Sequence, residues 1–273
     1  MLRYGALIGI FVAALYFVLP PGTFANLELA IRDHFDTRPA HAVLIIGNSR
    51  TYYHDMPSML RRMADSDHAR ERYDIVMRAV PGGTLEWSWK DSATQQLLKQ
   101  RRREVIIQAE SNAQSRDDAE QRFFDYGKRL ISEIENNGVK PVLIVNWVYG
   151  EDLFKSNTPG MRSWLYDKIQ NDYADLSQQT GAQLVNVGRV WEFVRAASPD
   201  LPLYEDGNHP TVQGSYLSAL MLYVYLSGRD GSEVTYIPTD MSAEQAAAIK
   251  RVVGEWVRGP RSTLERSSGL SPN

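Results

Sequence analysis

From residue 42 onward, short β-branched runs alternate with longer helical stretches, and this alternation is the strongest constraint on what the chain can fold into. Ala42-Val43-Leu44-Ile45-Ile46 is a near-continuous apolar strand, the pattern of a parallel strand covered on both faces. Comparable runs lie at 73–80, 104–108, 141–146 and 183–187. Between them, segments around 56–66, 85–101, 117–137 and 161–179 read as helices, with Gly138 and Gly181 where C-terminal caps belong. Two further helices are expected at about 211–227 and 242–257. Five strands each followed by a helix imply a parallel sheet with right-handed crossovers and helices on both faces, a three-layer αβα sandwich.

The N-terminus has a different character. One arginine precedes an apolar run over residues 5–19, and Pro20-Pro21-Gly22 ends it. The run is short for a relaxed transmembrane span of about 20 residues. It suits the apolar core of a signal peptide, with small residues near Ala25 for cleavage. The expected organisation is therefore a signal peptide or membrane anchor over 1–25, a linker over 26–41, one domain over 42–257 and a C-terminal tail over 258–273. A buried N-terminal helix is the alternative. Export to the periplasm or cell envelope, with membrane association through residues 5–19, is the expectation.

Composition removes several chemistries. The 273 residues contain no cysteine, which excludes disulfides, thiol nucleophiles and thiolate metal sites. The five histidines show no ligand spacing, so no metal or other cofactor is expected. A net charge of −3 gives no basic face for nucleic acid. No sequence signal sets an oligomeric state.

In parallel sheets, ligands bind beyond the carboxyl ends of the strands. The candidates are therefore the polar residues that follow each run. Ser49, after the first strand, is either a helix cap or a nucleophile. Gly82-Gly83, after the second, is either a tight turn or a close backbone approach that donates an amide to an oxyanion. Gln108 and Asn112, around the end of the third, could add a side-chain amide donor; otherwise they serve a sheet edge and an Asx turn. Asp206-Gly207-Asn208-His209-Pro210 carries most information. A carboxylate three residues before an imidazole can fold back onto Nδ1–H, fix the tautomer and leave Nε2 as a general base. Thr211 then caps the next helix. His54, beside Asp55, reads as surface or cleft lining. Trp87, Trp89 and Trp147 fall near the site and could stack on sugars or line an acyl pocket, or simply pack helices on the sheet.

Taken in order, these blocks resemble the SGNH hydrolases, the GDSL-like lipases and esterases. Gly47-Asn48-Ser49 stands where that family has Gly-Asp-Ser, Gly82 or Gly83 matches its glycine block, and Asp206 with His209 matches its final block. The Gly-x-Asn-Asp block is degraded, with Glu110 for the glycine and Ala113 for the aspartate. The resemblance covers roughly residues 42–228 and implies a flavodoxin-like fold. It further implies a Ser49–His209–Asp206 triad and an oxyanion hole drawn from Ser49, Gly82, Gly83, Asn112 and Gln108. Trp87 and Trp147 are the candidate substrate-binding residues. The implied activity is hydrolysis of short acyl esters, with an acylated carbohydrate or another small ester as substrate. An O-acyltransferase using the same triad, or a catalytically silent polysaccharide-binding protein, are the rival readings.

Overall fold

The computed structural model describes residues 36–154 and 158–259. The expected export segment, most of the linker and the tail beyond residue 259 lie outside the described residues. The described residues from 40 onward form one compact unit, and residues 36–39 belong to another. Of the latter, Asp36 and Arg38 pair locally, Arg38 Nε donating to Asp36 Oδ1 at 3.0 Å.

The strands are β1 (Ala40–Gly47), β2 (Arg72–Ala79), β3 (Glu104–Ile107), β4 (Lys140–Ile144) and β5 (Gln183–Val185). All pair in parallel, in the order β2-β1-β3-β4-β5. The chain moves from β1 outward to β2 and then crosses back to β3, so the order reverses at β1. A crevice opens at such a reversal beyond the strand ends, and Ser49 follows β1 there.

The helices are α1 (Ser49–Tyr52), α2 (Met56–Ser66), α3 (Leu85–Lys90), α4 (Ser92–Leu98), α5 (Asp117–Asn136), α6 (Met161–Thr180), α7 (Val187–Ala197), α8 (Val212–Ser227) and α9 (Ala243–Arg258). Side chains alternate across a strand, and here the alternation divides the core in two. Val43, Ile45, Ile106, Val142 and Ile144 pack with α2, α7, α8 and α9. Leu44, Ile46, Val105, Ile107 and Leu143 pack with α3, α5 and α6. This is the three-layer sandwich that the apolar runs imply. Helix α8 is buried around almost its whole circumference, from Gln213 to Val224. Among the described residues no helix is long and apolar enough to cross a membrane.

Two elements differ from the sequence reading. The helical stretch at 85–101 is broken at Asp91, whose carboxylate accepts from the Thr94 amide at 2.8 Å and from Arg78 Nε at 2.9 Å. The fifth strand stops at Val185, and Val187 opens α7 instead of continuing it. Asn186 caps that helix by accepting from the Arg189 amide at 3.0 Å. Gly188 disguises the start: a Cβ there would lie 2.1 Å from the Asn146 carbonyl, so close packing of α7 against β4's end requires glycine.

Candidate active site

The site is assembled from the segments that follow β1, β2, β3 and β4 and from a hairpin before α8. Asn48 is extended, and its Oδ1 accepts from the Arg50 amide at 3.1 Å, which starts α1 at Ser49. The Asn48 Nδ2 donates to the carbonyls of Gly83 (3.2 Å) and Ala109 (3.0 Å). This asparagine therefore ties the loops after β2 and β3 to the loop after β1.

The hairpin spans Leu203 to Thr211. It is closed by the Tyr204–Pro210 bridge, by the Glu205 amide on the His209 carbonyl (2.9 Å) and by the Thr211 amide on the Leu203 carbonyl (3.0 Å). Gly207 takes φ +76° at its tip, a region that side chains disfavour. Thr211 caps α8 as expected, accepting from the Gly214 amide at 3.2 Å. Within the hairpin Asp206 turns back onto His209: Oδ1 accepts from the amides of Asn208 (3.0 Å) and His209 (2.7 Å), and Oδ2 lies 2.7 Å from Nδ1. His209 Nε2 lies 3.0 Å from Ser49 Oγ.

Electrostatics fixes the protons in this chain. Burial pushes the Asp206 carboxyl up, but the amide and ring of His209 and the amide of Asn208 pull it further down, to about 2. An ionised Asp206 can only accept, so Nδ1 carries its proton and the Ser49 hydroxyl donates to Nε2. That arrangement lets serine lose its proton to imidazole as it attacks an electrophile.

The candidate oxyanion donors have different surroundings. Val80-Pro81-Gly82-Gly83 is a turn closed by the Gly83 amide on the Val80 carbonyl at 3.0 Å, with Gly82 at φ +63°. The Gly83 amide is thus consumed, whereas Gly82 is exposed and its amide lies outside that bond. Gln108 is also corrected as a donor. It is buried, accepts from the Thr51 hydroxyl and donates to Asn146 Oδ1 at 2.9 Å. Asn146 continues the network to the Ala109 carbonyl at 3.0 Å. Gln108 therefore braces α1 and the segments that follow β3 and β4. Asn112 is exposed in the turn after β3, where its carbonyl accepts from the Ser115 amide at 3.1 Å. Glu110, in the family's glycine position, is buried and accepts from the Leu85 amide at 3.2 Å. Burial raises its pKa, while its own amide and that of Leu85 oppose the rise.

Trp147 does not offer a face to substrate. It is wholly buried, stacked on Trp191 at 4.2 Å between centroids, and its Nε1 donates to the Asn208 carbonyl at 3.1 Å. Trp87 is half-buried with the Arg78 guanidinium 5.1 Å above its ring, and Trp89 packs on the core. His54 is exposed, with Nε2 3.4 Å from Glu205. Among the described residues no group of acidic and histidine side chains could hold a metal ion.

The sequence reading missed Arg50. Only 2% exposed, it donates from Nε (3.0 Å) and Nη2 (2.9 Å) to Asn208 Oδ1 and from Nη1 (2.7 Å) to the Trp147 carbonyl. Its guanidinium also lies 4.7 Å from the Trp147 ring. Burial lowers its pKa to about 10, with Tyr149, Tyr204, Tyr173 and Asp206 opposing the fall. It remains a cation at neutral pH. The signal available was its place beside Ser49, together with an asparagine beside His209.

No family profile and no curated protein matches the chain. Solved structures do. A protein assigned as an SGNH hydrolase from Slackia heliotrinireducens is 26% identical with a TM-score of 0.58, over 68% of this chain and 99% of that one. A lipase/acylhydrolase from Enterococcus faecalis, 15% identical, superposes with a TM-score of 0.54 over 69% of this chain and 96% of its own. An acetyl xylan esterase, 12% identical, gives 0.56 over 68% and 99%. The last two likenesses are of fold.

Proposed function

We propose that this chain, a member of the SGNH/GDSL-like superfamily, is a serine esterase with Ser49 as nucleophile, His209 as general base and Asp206 as the group that orients the imidazole. The observation that carries the reading is the continuous hydrogen-bonded path from Ser49 Oγ through His209 to Asp206. Esterase-type chemistry agrees with the hydrolases among the structural neighbours.

In the proposed reaction Ser49 Oγ attacks the ester carbonyl while Nε2 takes its proton. The tetrahedral oxyanion is met by the amides of Ser49 and Gly82 and by the Asn112 side chain. Two of these donors have a structural rationale. The Arg50 and Thr51 amides are already bound by Asn48, which leaves the Ser49 amide at the start of α1 for a ligand. Gly82 likewise lies outside the hydrogen bond that closes its turn. Collapse of the intermediate expels the alcohol, which receives the proton from His209. Water, activated by the same imidazole, then releases the acid and restores Ser49.

The substrate we propose is a short acyl ester, acetyl-type, on a carbohydrate of the cell envelope or outside the cell. Supporting this are the exposure of Gly82 and Asn112 in the loops after β2 and β3, the half-buried Trp87, and an acetyl xylan esterase among the neighbours. The apolar run at 5–19 supports an exported enzyme. Release of p-nitrophenol from p-nitrophenyl acetate tests the chemistry. Wild-type turnover that disappears in Ser49→Ala is expected; equal rates in the two proteins would overturn the assignment.

A further inference from the structure

The Asp206–His209 hairpin is held at one edge of the imidazole but is open to solvent, the Asp206 side chain being 55% exposed. Something must also hold the ring's face. Tyr53 lies there. Its ring is parallel to that of His209 within 8°, with 4.4 Å between centroids. This is a stacked contact on the ring that takes and returns the proton.

Tyr53 is itself fixed from several sides. Its carbonyl accepts from Ser215 Oγ at 3.1 Å, at the start of α8. The Tyr52 ring lies 5.8 Å away, and the His54 ring meets Tyr53 edge-on at 5.9 Å. His54 Nε2 reaches Glu205 on the hairpin at 3.4 Å. The backbone is unusual as well: His54 and Asp55 are both left-handed, with φ of +51° and +52°, though neither is glycine. Two such residues in succession persist only where the surroundings over-determine them, and they gather at functional sites. Here they kink the chain between α1 and α2 directly after Tyr53, whose ring covers His209.

We propose that Tyr53 is a positioning residue: its ring clamps the face of His209 so that Nε2 stays aimed at Ser49 while Asp206 holds the opposite edge. This rests on the reading of Ser49 and His209 as nucleophile and base. A parallel ring also favours the imidazolium that forms during attack, because the aromatic face attracts a cation. The ring supplies both effects, and the phenol hydroxyl is not needed for either.

The test compares wild type, Tyr53→Phe, Tyr53→Leu and Ser49→Ala, using p-nitrophenyl acetate turnover and covalent labelling by a fluorophosphonate. The expected result is labelling of wild type but not of Ser49→Ala. In Tyr53→Leu, kcat and labelling rate should fall together by about 10- to 100-fold, as for a small misplacement of a reacting group. KM should stay within about twofold, since no substrate contact is removed. Tyr53→Phe, which keeps the ring, should restore most of kcat. A rise in KM with kcat intact in Tyr53→Leu would make Tyr53 a substrate contact and overturn the inference, as would labelling of Tyr53→Leu at the wild-type rate. Absence of label on wild type overturns the reading of the site, and the inference falls with it. Should Tyr53→Leu not fold, NMR of selectively labelled histidine in wild type decides. Stacking shifts the His209 ring protons upfield of free imidazole, with the signals assigned through His209→Gln, and unshifted signals overturn the clamp.

Discussion

Arg50 and Asn208 are joined by a forked hydrogen bond, with Nε and Nη2 of the arginine both donating to Oδ1 of the asparagine at 3.0 and 2.9 Å. These residues are the neighbours of Ser49 and His209. The fork thus connects the helix that bears Ser49 to the hairpin that bears His209, against the buried Trp147. Among the described residues no carboxylate forms an ion pair with this buried guanidinium; one amide oxygen, one backbone carbonyl and the faces of Trp147 and Tyr149 contact it, and Asp206 acts on it at longer range.

Loss of the asparagine should therefore be felt twice. Asn208→Ala leaves a buried cation without its main acceptor, and about 2–3 kcal/mol of stability is expected to be lost. Denaturant unfolding measures this. Turnover should fall as well, while Arg50→Lys, which keeps charge but cannot fork, should fall between wild type and Asn208→Ala.

The two side-chain amides after β3, Asn112 and Gln108, have opposite expected phenotypes. Asn112 is exposed, so Asn112→Ala should change stability by no more than about 0.5 kcal/mol. As an oxyanion donor, however, it should cost roughly 10²- to 10³-fold in kcat. Gln108→Ala should instead strand Thr51 and Asn146 in the buried network and cost about 1–3 kcal/mol of stability. Paired melting and kinetic measurements on the two variants separate the roles.

Asp206, with its pKa near 2, is ionised across the working range. The sign follows from a folded value below the usual 3.8: its contribution to stability is present above about pH 4 and is lost as pH falls toward 2. Its titration should accordingly put no limb on the pH–activity profile above about pH 3. Asp206→Asn should lower kcat by on the order of 10³- to 10⁴-fold, because the amide can hold the wrong tautomer.

Asp172 on α6 behaves in the opposite sense. Burial raises its pKa to about 6 against the attraction of Lys168, whose Nζ lies 3.4 Å away. For a carboxyl raised in the folded state, stability is fullest at low pH and declines as pH rises from about 4 through 6. Asp172→Asn should thus stabilise the protein at pH 8, by on the order of 2 kcal/mol, and have little effect at pH 4. Thermal melting at the two pH values checks it.

How the sequence related to these features depended on the range of the forces involved. Strand runs and the Asp206–His209 spacing are local, and the rule that sites lie beyond strand ends is geometric, so Ser49, Asp206 and His209 could be grouped before any contact was known. The roles of Gln108 and Trp147 are not local. Whether Trp147 faces a cleft or the core depends on Trp191, which stacks on it from α7, and α7 is the helix whose opening Gly188 disguised. Likewise Gly82 and Gly83 are equivalent in the sequence until one amide closes the turn on Val80. The Tyr53–His209 stack joins residues 156 positions apart and has no sequence signature of its own.

Activation of Ser49 by His209 is tested most directly by fluorophosphonate labelling with peptide mapping, which needs no knowledge of the natural ester. A single adduct on Ser49 of the folded protein is expected, lost in Ser49→Ala and strongly slowed in His209→Gln. An unlabelled wild-type protein, or labelling that persists unchanged in Ser49→Ala, would contradict it.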